Sequence, residues 1–204
     1  MTNYLHKGDL PKGLDLGSAV AVDSETMGLN PHRDRLCVVQ LSAGDGNAHV
    51  VQLAEADYSA PRLKALLGDG NVLKIIHFAR FDLAAFQRWL GVAAAPVYCT
   101  KIASKLARTY TDRHGLKDLA KDLLGLDLSK QQQSSDWGAE TLSQAQVDYA
   151  AADVLHLHAL RERLDAILAR EGRAHLAGAC FDFLPSRAAL DLAGWADTDI
   201  FAHA

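Results

Sequence analysis

Short apolar runs separated by polar turns occupy the first half of the chain and predict five β-strands. The first run begins at residue 19, and the others cover 36–42, 49–53, 71–78 and 95–99. Short polar turns join the first three strands, so we expect them to form an antiparallel meander. The residues before about Gly17, which include Pro11 and Gly13, are predicted as a lead-in without regular structure.

Helical spacing of apolar residues first appears between these runs and then dominates the second half of the chain. A last helical stretch from about 175 to 195 should break near Pro185. This order of elements predicts an α/β fold, a mixed five-stranded sheet flanked by helices with a helical C-terminal part. The other predicted helices cover 60–67, 80–90, 101–109, 116–124 and 143–171.

The whole chain, 1–204, is predicted to be a single domain with a core of about 18–172. The remaining segment, about 173–204, is a helical extension that either caps this core or forms a dimer interface. Whether the protein is a monomer or a homodimer therefore stays open at this point.

The composition, with 49% hydrophobic and 23% charged residues in 204, is typical of a globular protein. No run approaches the roughly 18 apolar residues of a membrane span, and the first residues lack the apolar segment of a signal peptide. We therefore expect a cytoplasmic protein without a membrane partner. Cys37, Cys99 and Cys180 form no C-x-x-C pair and are predicted to be small core residues in a reducing compartment.

The net charge of −4 gives no overall footprint of nucleic-acid binding. A cluster of acidic metal ligands would nevertheless be neutralised by its metal ions, so the net charge does not exclude such a partner. Lys101, Lys105 and Arg108 share one face of a predicted helix, and this face is interpreted as solvated surface.

Asp23 and Glu25 stand at the end of the first buried strand. Residues at i and i+2 of a strand point to the same side, so the two carboxylates repel each other and lose solvation. A divalent cation between them would offset both costs, and oxygen ligands suit Mg²⁺ or Mn²⁺. The alternative is that Asp23 only opens a loop.

Two further acids fall where α/β sites form. Asp82 follows the strand that ends near His77, in the first turn of a helix, where it is either a ligand or a helix cap. Tyr149 and Asp153 share one helix face and are separated by three alanines, which would let that helix lie close to the sheet. Alternatively, Tyr149 is core filler and Asp153 a surface acid.

Taken together these motifs resemble the DEDD superfamily of 3′→5′ exonucleases, in its tyrosine-bearing branch, and most closely the ribonuclease D family. The resemblance extends from about residue 19 to 168. Cys99 replaces an aspartate that is customary in that family. The matching motifs are D-x-E at 23–25, H-x4-D at 77–82, Y-x3-D at 149–153, and the segments 99–103, 114–120, 130–137 and 142–150.

The resemblance implies a ribonuclease H-like fold and a two-metal mechanism with Mg²⁺ or Mn²⁺. Asp23, Glu25, Asp82 and Asp153 would hold two divalent ions, and Tyr149 would orient the attacking water. The reaction would release nucleoside 5′-monophosphates from RNA 3′ ends, as in trimming of tRNA or other small RNAs. Longer ribonuclease D proteins carry additional helical nucleic-acid-binding domains. The segment after about residue 172 is too short to bury the core of such a domain, so we expect a short form without them.

Substrate contacts are predicted at three places. Met27, Gly28 and Leu29 would wedge or stack against the last base, although Met27 and Leu29 fit a core role equally well. His77 and Phe78 would contact the terminal nucleotide, or His77 is structural. Lys130 and Gln131 are strand contacts by resemblance only.

Two other functions stay open at the level of the sequence. A 3′→5′ DNA exonuclease would use the same metal-binding residues, because discrimination depends on contacts to the 2′-OH. A catalytically inactive RNA-binding scaffold is the other alternative, although all five active-site residues are present. The weak net charge favours single-stranded 3′ ends over long duplexes as partners.

Overall fold

The computed structural model describes residues 2–55, 57–129, 131–132 and 134–203. A mixed sheet of six strands, in the order β1-β4-β3-β2-β5-β6, lies at its centre. The strands are β1 (Asn3–Lys7), β2 (Ala19–Thr26), β3 (Leu36–Ser42), β4 (Ala48–Gln52), β5 (Leu73–Ile76) and β6 (Val97–Cys99).

Strands β2, β3 and β4 form the predicted antiparallel meander, and β5 and β6 add to β2 in parallel. The prediction of five strands was wrong, because the lead-in contains β1, which pairs in parallel with β4. Contacts far away in the chain hold β1: Lys7 Nζ donates to Gln52 Oε1 at 2.5 Å, and Asn3 Nδ2 donates to Asp148 Oδ1 at 2.8 Å. Such partners leave no local signature in the sequence.

Helices cover both faces of the sheet, as the sequence predicted. Three of them continue into π-helical turns, at Phe86–Leu90, Ala120–Leu124 and Asp191–Trp195. The helices are α1 (Pro61–Gly68), α2 (Ala79–Ala85), α3 (Thr100–Ala107), α4 (Leu116–Leu119), α5 (Gln144–Leu155), α6 (Leu157–Arg170) and α7 (Ala174–Leu190).

Alternation along β2 divides the core between the two faces of the sheet. Val20 and Val22 belong to a core cluster that includes residues of α1, α2 and α7. Ala21 belongs to a second cluster on the opposite face, with residues of α3, α5 and α6. Because side chains alternate along a strand, Asp23 and Glu25 share the face of Ala21, and Ser24 points the other way.

The helical C-terminal part differs in detail from the prediction. The expected single helix over 143–171 is interrupted at His156, and Pro185 lies inside α7 without breaking it. Burial of Leu184 and Ala188 against the core stabilises the helix on both sides of the proline. The non-helical backbone instead occurs at Gly194, where φ is +95°.

Two predictions of burial were wrong. Cys37 and Cys99 are buried free thiols, but Cys180 is exposed on α7 and is no core residue. Arg108 belongs to no solvated face: it is buried, and its Nη2 lies 2.5 Å from Asp122 Oδ2. In the described part of the chain, no helix is long and apolar enough to cross a membrane.

Candidate active site

The D-x-E pair of β2 meets α5 on one face of the sheet. Carboxylate oxygens of Asp23, Glu25 and Asp153 all lie within 4.8 Å of one another, close enough to share a metal ion. The helix approaches β2 closely because Ala150 and Ala151, which are fully buried, replace larger side chains there. Ser143 caps α5 in a capping box with Gln146, which fixes where the helix begins.

Asp82 reaches the same site from the opposite side of β2. Its Oδ1 accepts a hydrogen bond from Ser24 Oγ at 2.6 Å, and Ser24 is the residue between Asp23 and Glu25. On the neighbouring strand, Gln40 Nε2 donates to Asp23 Oδ2 at 2.6 Å. Each of these carboxylates is therefore held in place by a neutral hydrogen-bond donor.

Burial raises the pKa of every acid in this cluster, and repulsion by the other carboxylates adds to it for Asp23 and Glu25. Burial is the largest cause for Asp23, whose pKa lies well above its usual range, and the charges of Asp82, Asp153 and Glu25 add to it. The same causes raise the pKa of Glu25 to about 9. Burial also raises the pKa of Asp82 to about 7 and that of Asp153 to about 7. Acids that resist ionisation together in this way are typical of sites that bind cations.

Tyr149 stands on α5 one turn before Asp153, and both line the acidic cavity. Its ring packs near that of Trp137, with 6.0 Å between the centroids. Burial and the nearby carboxylates raise the pKa of the Tyr149 hydroxyl well above its usual range. The phenol therefore stays protonated and can donate a hydrogen bond.

The acids open into a cavity of about 320 Å³. One part of its wall carries the carboxylates and Tyr149, and another part carries two lysines, Lys101 and Lys117. The lining residues are Asp23, Ser24, Glu25, His77, Phe78, Phe81, Asp82, Lys101, Gly115, Leu116, Lys117, Asp118, Leu128, Ser129, Tyr149 and Asp153.

His77 and Phe78 follow β5 directly and line this cavity, and their contact with the terminal nucleotide stays a prediction. His77 Nδ1 lies 2.9 Å from Thr100 Oγ1, and burial together with Lys101 lowers the pKa of His77 to about 3, so the ring is neutral. Phe78 has a left-handed backbone, with φ +62° and ψ +41°, and its side chain is 47% exposed. Lys101 Nζ lies 4.0 Å from the centroid of the Phe78 ring.

The segment after the acidic pair faces neighbouring cavities. Met27 and Leu29 are 51% and 85% exposed, which excludes the alternative that they are core residues. Met27 borders a cavity with Arg33 and Arg35, and Leu29 borders one of about 580 Å³ that includes Phe78. A Cβ at Gly28 would collide with Asp34 Oδ2, so packing against Asp34 explains this glycine.

The predicted strand contacts near 130 are only partly covered by the structure. Lys130 lies outside the described residues. Gln131 is exposed, and its backbone N–H donates to Ser129 Oγ at 3.2 Å. Among the described residues of this loop, Leu128 and Ser129 line the acidic cavity and Gln131 does not.

Sequence reasoning missed Gln40, Lys101 and Lys117 as parts of the site. A signal existed for Gln40, because a glutamine within the apolar run of β3 needs a buried partner. Its place opposite Asp23 follows from the strand register, which the sequence alone does not give. Lys101 and Lys117 looked like ordinary surface lysines because nothing local distinguishes them.

Residues 9–169 match a family described as 3′-5′ exonuclease. This match covers well over half of the chain. The chain belongs to this 3′-5′ exonuclease family. Membership confirms the resemblance on which the motif interpretation rests.

Other members of the exonuclease family include longer proteins. Ribonuclease D of Granulibacter bethesdensis is 38% identical over 154 residues, which are 76% of this chain and 38% of that protein. DNA polymerase I of Aquifex aeolicus is 34% identical over 165 residues, 79% of this chain and 27% of the polymerase. This chain thus spans less than half the length of these curated relatives.

Solved structures of exonuclease relatives share the fold. Brucella melitensis NrnC with bound Mg²⁺ is 56% identical, with a TM-score of 0.96 over 100% of both chains. NrnC bound to pGG is 57% identical, with a TM-score of 0.97 over 100% of both chains. Escherichia coli RNase D is 26% identical, with a TM-score of 0.73 over 84% of this chain and 45% of the other. These likenesses confirm the ribonuclease H-like α/β fold.

Proposed function

We propose that this protein is a metal-dependent 3′→5′ exoribonuclease of the ribonuclease D and NrnC type. It would remove nucleoside 5′-monophosphates from the 3′ ends of short single-stranded RNA. The observation that carries the proposal is the convergence of carboxylates from β2 and α5 within 4.8 Å, in a cavity that also contains Asp82 and Tyr149.

The residues present fit two divalent cations, Mg²⁺ or Mn²⁺. Hard cations prefer carboxylate oxygens, and the raised pKa values of the acids show that positive charge is favoured at this point. Asp23, Glu25, Asp82 and Asp153 would hold the ions. When bound, the two ions acidify water and stabilise negative charge on the leaving oxygen.

Tyr149 would orient the attacking water. Because its pKa is raised, the hydroxyl remains a hydrogen-bond donor and acceptor and does not act as the base. Gln40 and Ser24 hold Asp23 and Asp82 through neutral hydrogen bonds, which position the two carboxylates without adding positive charge.

The aromatic and neutral groups of the cavity would bind the terminal nucleotide. The exposed Phe78 ring offers a face on which a base stacks, and Leu29 lies beside the neighbouring cavity that Phe78 shares. His77 is neutral, so it would contact the sugar or phosphate by hydrogen bonding without adding charge. Met27, Gly28, Lys130 and Gln131 stay predictions from the sequence.

RNA is the proposed substrate because the curated relatives are named ribonuclease D, and a structure of NrnC is bound to pGG. A 3′→5′ DNA exonuclease is the second candidate, favoured by the match to DNA polymerase I of Aquifex aeolicus. The free cysteines fit a reducing cytoplasm. The proposed substrates there are tRNA or other small RNAs.

The test uses 5′-labelled single-stranded RNA and DNA of one sequence, incubated with Mg²⁺, Mn²⁺ or EDTA. We expect a ladder that shortens from the 3′ end, is faster on RNA, and disappears in EDTA and in Asp153→Asn. Asp148→Asn, an exposed site on the same helix, is the matched control and should cut normally. Faster degradation of the DNA would favour a DNA exonuclease. If neither strand is cut in a metal-dependent way, the proposal is refuted.

A further inference from the structure

A second cavity, of about 300 Å³, adjoins the acidic cavity at Phe78. Residues of α3 and α7 form most of its wall, so we name it the α3–α7 groove. Its charged lining residues are Lys101, Lys105, Arg80 and Arg187, and its aromatic ones are Phe78 and Phe183.

The α3–α7 groove carries excess positive charge although the chain as a whole is acidic. Arg80 and Arg187 share a single carboxylate, that of Asp191, at 2.6 Å and 2.5 Å. Lys101 and Lys105 form no ion pair with any carboxylate in the part of the chain that the structure describes. Four cations thus face one acid, in a protein with a net charge of −4.

The groove is continuous with the acidic cavity. Phe78 and Lys101 line both, and the Lys101 ammonium lies 4.0 Å from the Phe78 ring centroid. The left-handed backbone of Phe78 is strained, because in a non-glycine residue it brings Cβ close to the following carbonyl oxygen. Strain of this kind is retained where it positions a side chain for function, and here it places the ring at the boundary between the two cavities.

We propose that the α3–α7 groove binds the phosphodiester backbone of the single-stranded RNA that leads into the site. The inference rests on the proposed function and adds the path of the strand. The last nucleotide enters the acidic cavity, and the nucleotides before it cross Phe78 and lie along Lys101 and Lys105. A basic groove with aromatic faces is the arrangement that binds single strands without reading their sequence. The other cavity that includes Phe78 contains Asp191 and Asp197 and suits a polyanion less well.

Binding of a seven-nucleotide RNA and of pGG to the Asp153→Asn protein with Mg²⁺ tests this path. Lys105→Gln should weaken heptamer binding about tenfold and leave pGG binding unchanged, because only the heptamer reaches Lys105. The slope of log affinity against log salt should fall in magnitude by about 0.7 for the lost phosphate contact. Lys12→Gln, an exposed lysine that lines none of these cavities, should change neither value.

Cys180 provides a second readout because it is exposed and lines the groove, whereas Cys37 and Cys99 are buried. Saturating heptamer should slow alkylation of Cys180 by N-ethylmaleimide several-fold, and pGG should not. Cys180→Ser protein, which should take up no label, verifies the site of modification.

Unchanged heptamer affinity in Lys105→Gln together with unprotected Cys180 would refute the proposal that the α3–α7 groove binds the RNA backbone. If wild-type protein still trims the heptamer in that case, the proposed function stands and only the path is wrong. If it trims no RNA, the proposed function fails, and the protection of Cys180 still decides whether the groove binds RNA.

Discussion

Asp23 illustrates the conflict between stability and chemistry at the level of one residue. Its carboxylate is buried beside three other acids, and in the absence of metal this arrangement raises its pKa. A negative charge that the fold disfavours lowers the free energy of unfolding at neutral pH.

We therefore predict that Asp23→Asn stabilises the metal-free protein by about 1–2 kcal/mol at pH 8 while abolishing RNA trimming. Urea unfolding in EDTA measures the first effect and the 3′ ladder the second. Asp182→Asn, at an exposed position of α7, should change neither. A metal-free Asp23→Asn protein less stable than the wild type would contradict the repulsion argument.

Two substitutions of Phe78 distinguish the effect of its backbone strain from the function of its ring. Both Phe78→Gly and Phe78→Ala remove the aromatic face, so both should weaken RNA binding. Glycine adopts φ of +62° freely and alanine does not, so the glycine variant should be more stable than the alanine variant by about 1 kcal/mol. Thermal unfolding of the two variants measures this difference. Equal or reversed stabilities would show that the backbone at Phe78 is unstrained.

The five motif residues of the site could be predicted from the sequence because their spacing is local. Asp23 with Glu25, and Tyr149 with Asp153, lie on one strand and one helix whose periods fix their common face. The placement of Gln40, Lys101 and Lys117 in the site could not be predicted, because each acquires its role from a neighbour on another element. Exposure also decided against a core role for Met27 and Leu29, which apolarity alone had left open.

At the level of elements, ion pairs hold α7 and the segment after it against α2. Asp191 accepts bonds from Arg80 Nε at 2.6 Å and from Arg187 Nη2 at 2.5 Å, and Asp191 is buried. Arg187 is only 15% exposed, so removal of the acid would leave its charge without a carboxylate in a poorly solvated place, with backbone carbonyls such as that of Trp195 as acceptors.

Asp191→Asn should therefore destabilise the protein by about 1–3 kcal/mol. Asp165→Asn is the matched control, because it removes an exposed ion pair with Arg161 and should cost less than about 0.5 kcal/mol. Chemical unfolding at pH 7 gives both values. Equal losses would mean that the backbone carbonyls of Ala196 and Trp195 are sufficient acceptors for the two arginines.

The strands of the meander and most of the helices were predictable, since apolar runs and helical spacing are properties of single elements. Strand β1 was not, because Tyr4 and Leu5 are exposed and its pairing with β4 crosses more than forty positions of the chain. Pro185 indicated a break that packing of α7 overrides, and His156 ends a helix without a glycine or proline signal.

At the level of the whole molecule, the sheet brings four acids from β2, α2 and α5 to one site. Groups whose pKa is raised on folding bind protons that the unfolded chain releases. Their contribution to stability is therefore lost as pH rises from their unfolded pKa of about 4 through their folded pKa. That loss should extend to about pH 9, the folded pKa of Glu25.

We predict that Mg²⁺ raises the melting temperature much more at pH 9 than at pH 6, because at the lower pH protons compete for the same carboxylates. The pKa of Lys74 is lowered to about 8 and that of His77 to about 3, but both titrate with and without the cation. The difference between the curves with Mg²⁺ and with EDTA thus isolates the acidic cluster. A difference independent of pH would place the cation elsewhere.

The most direct measurement is anomalous diffraction from crystals soaked in Mn²⁺ and a short RNA whose last internucleotide linkage is a phosphorothioate. It should reveal two Mn²⁺ peaks among Asp23, Glu25, Asp82 and Asp153, with the terminal phosphate beside them. Two peaks there, absent in Asp23→Asn crystals, are the result we predict. A strand bound with no metal at these four acids would contradict the two-metal exonuclease mechanism.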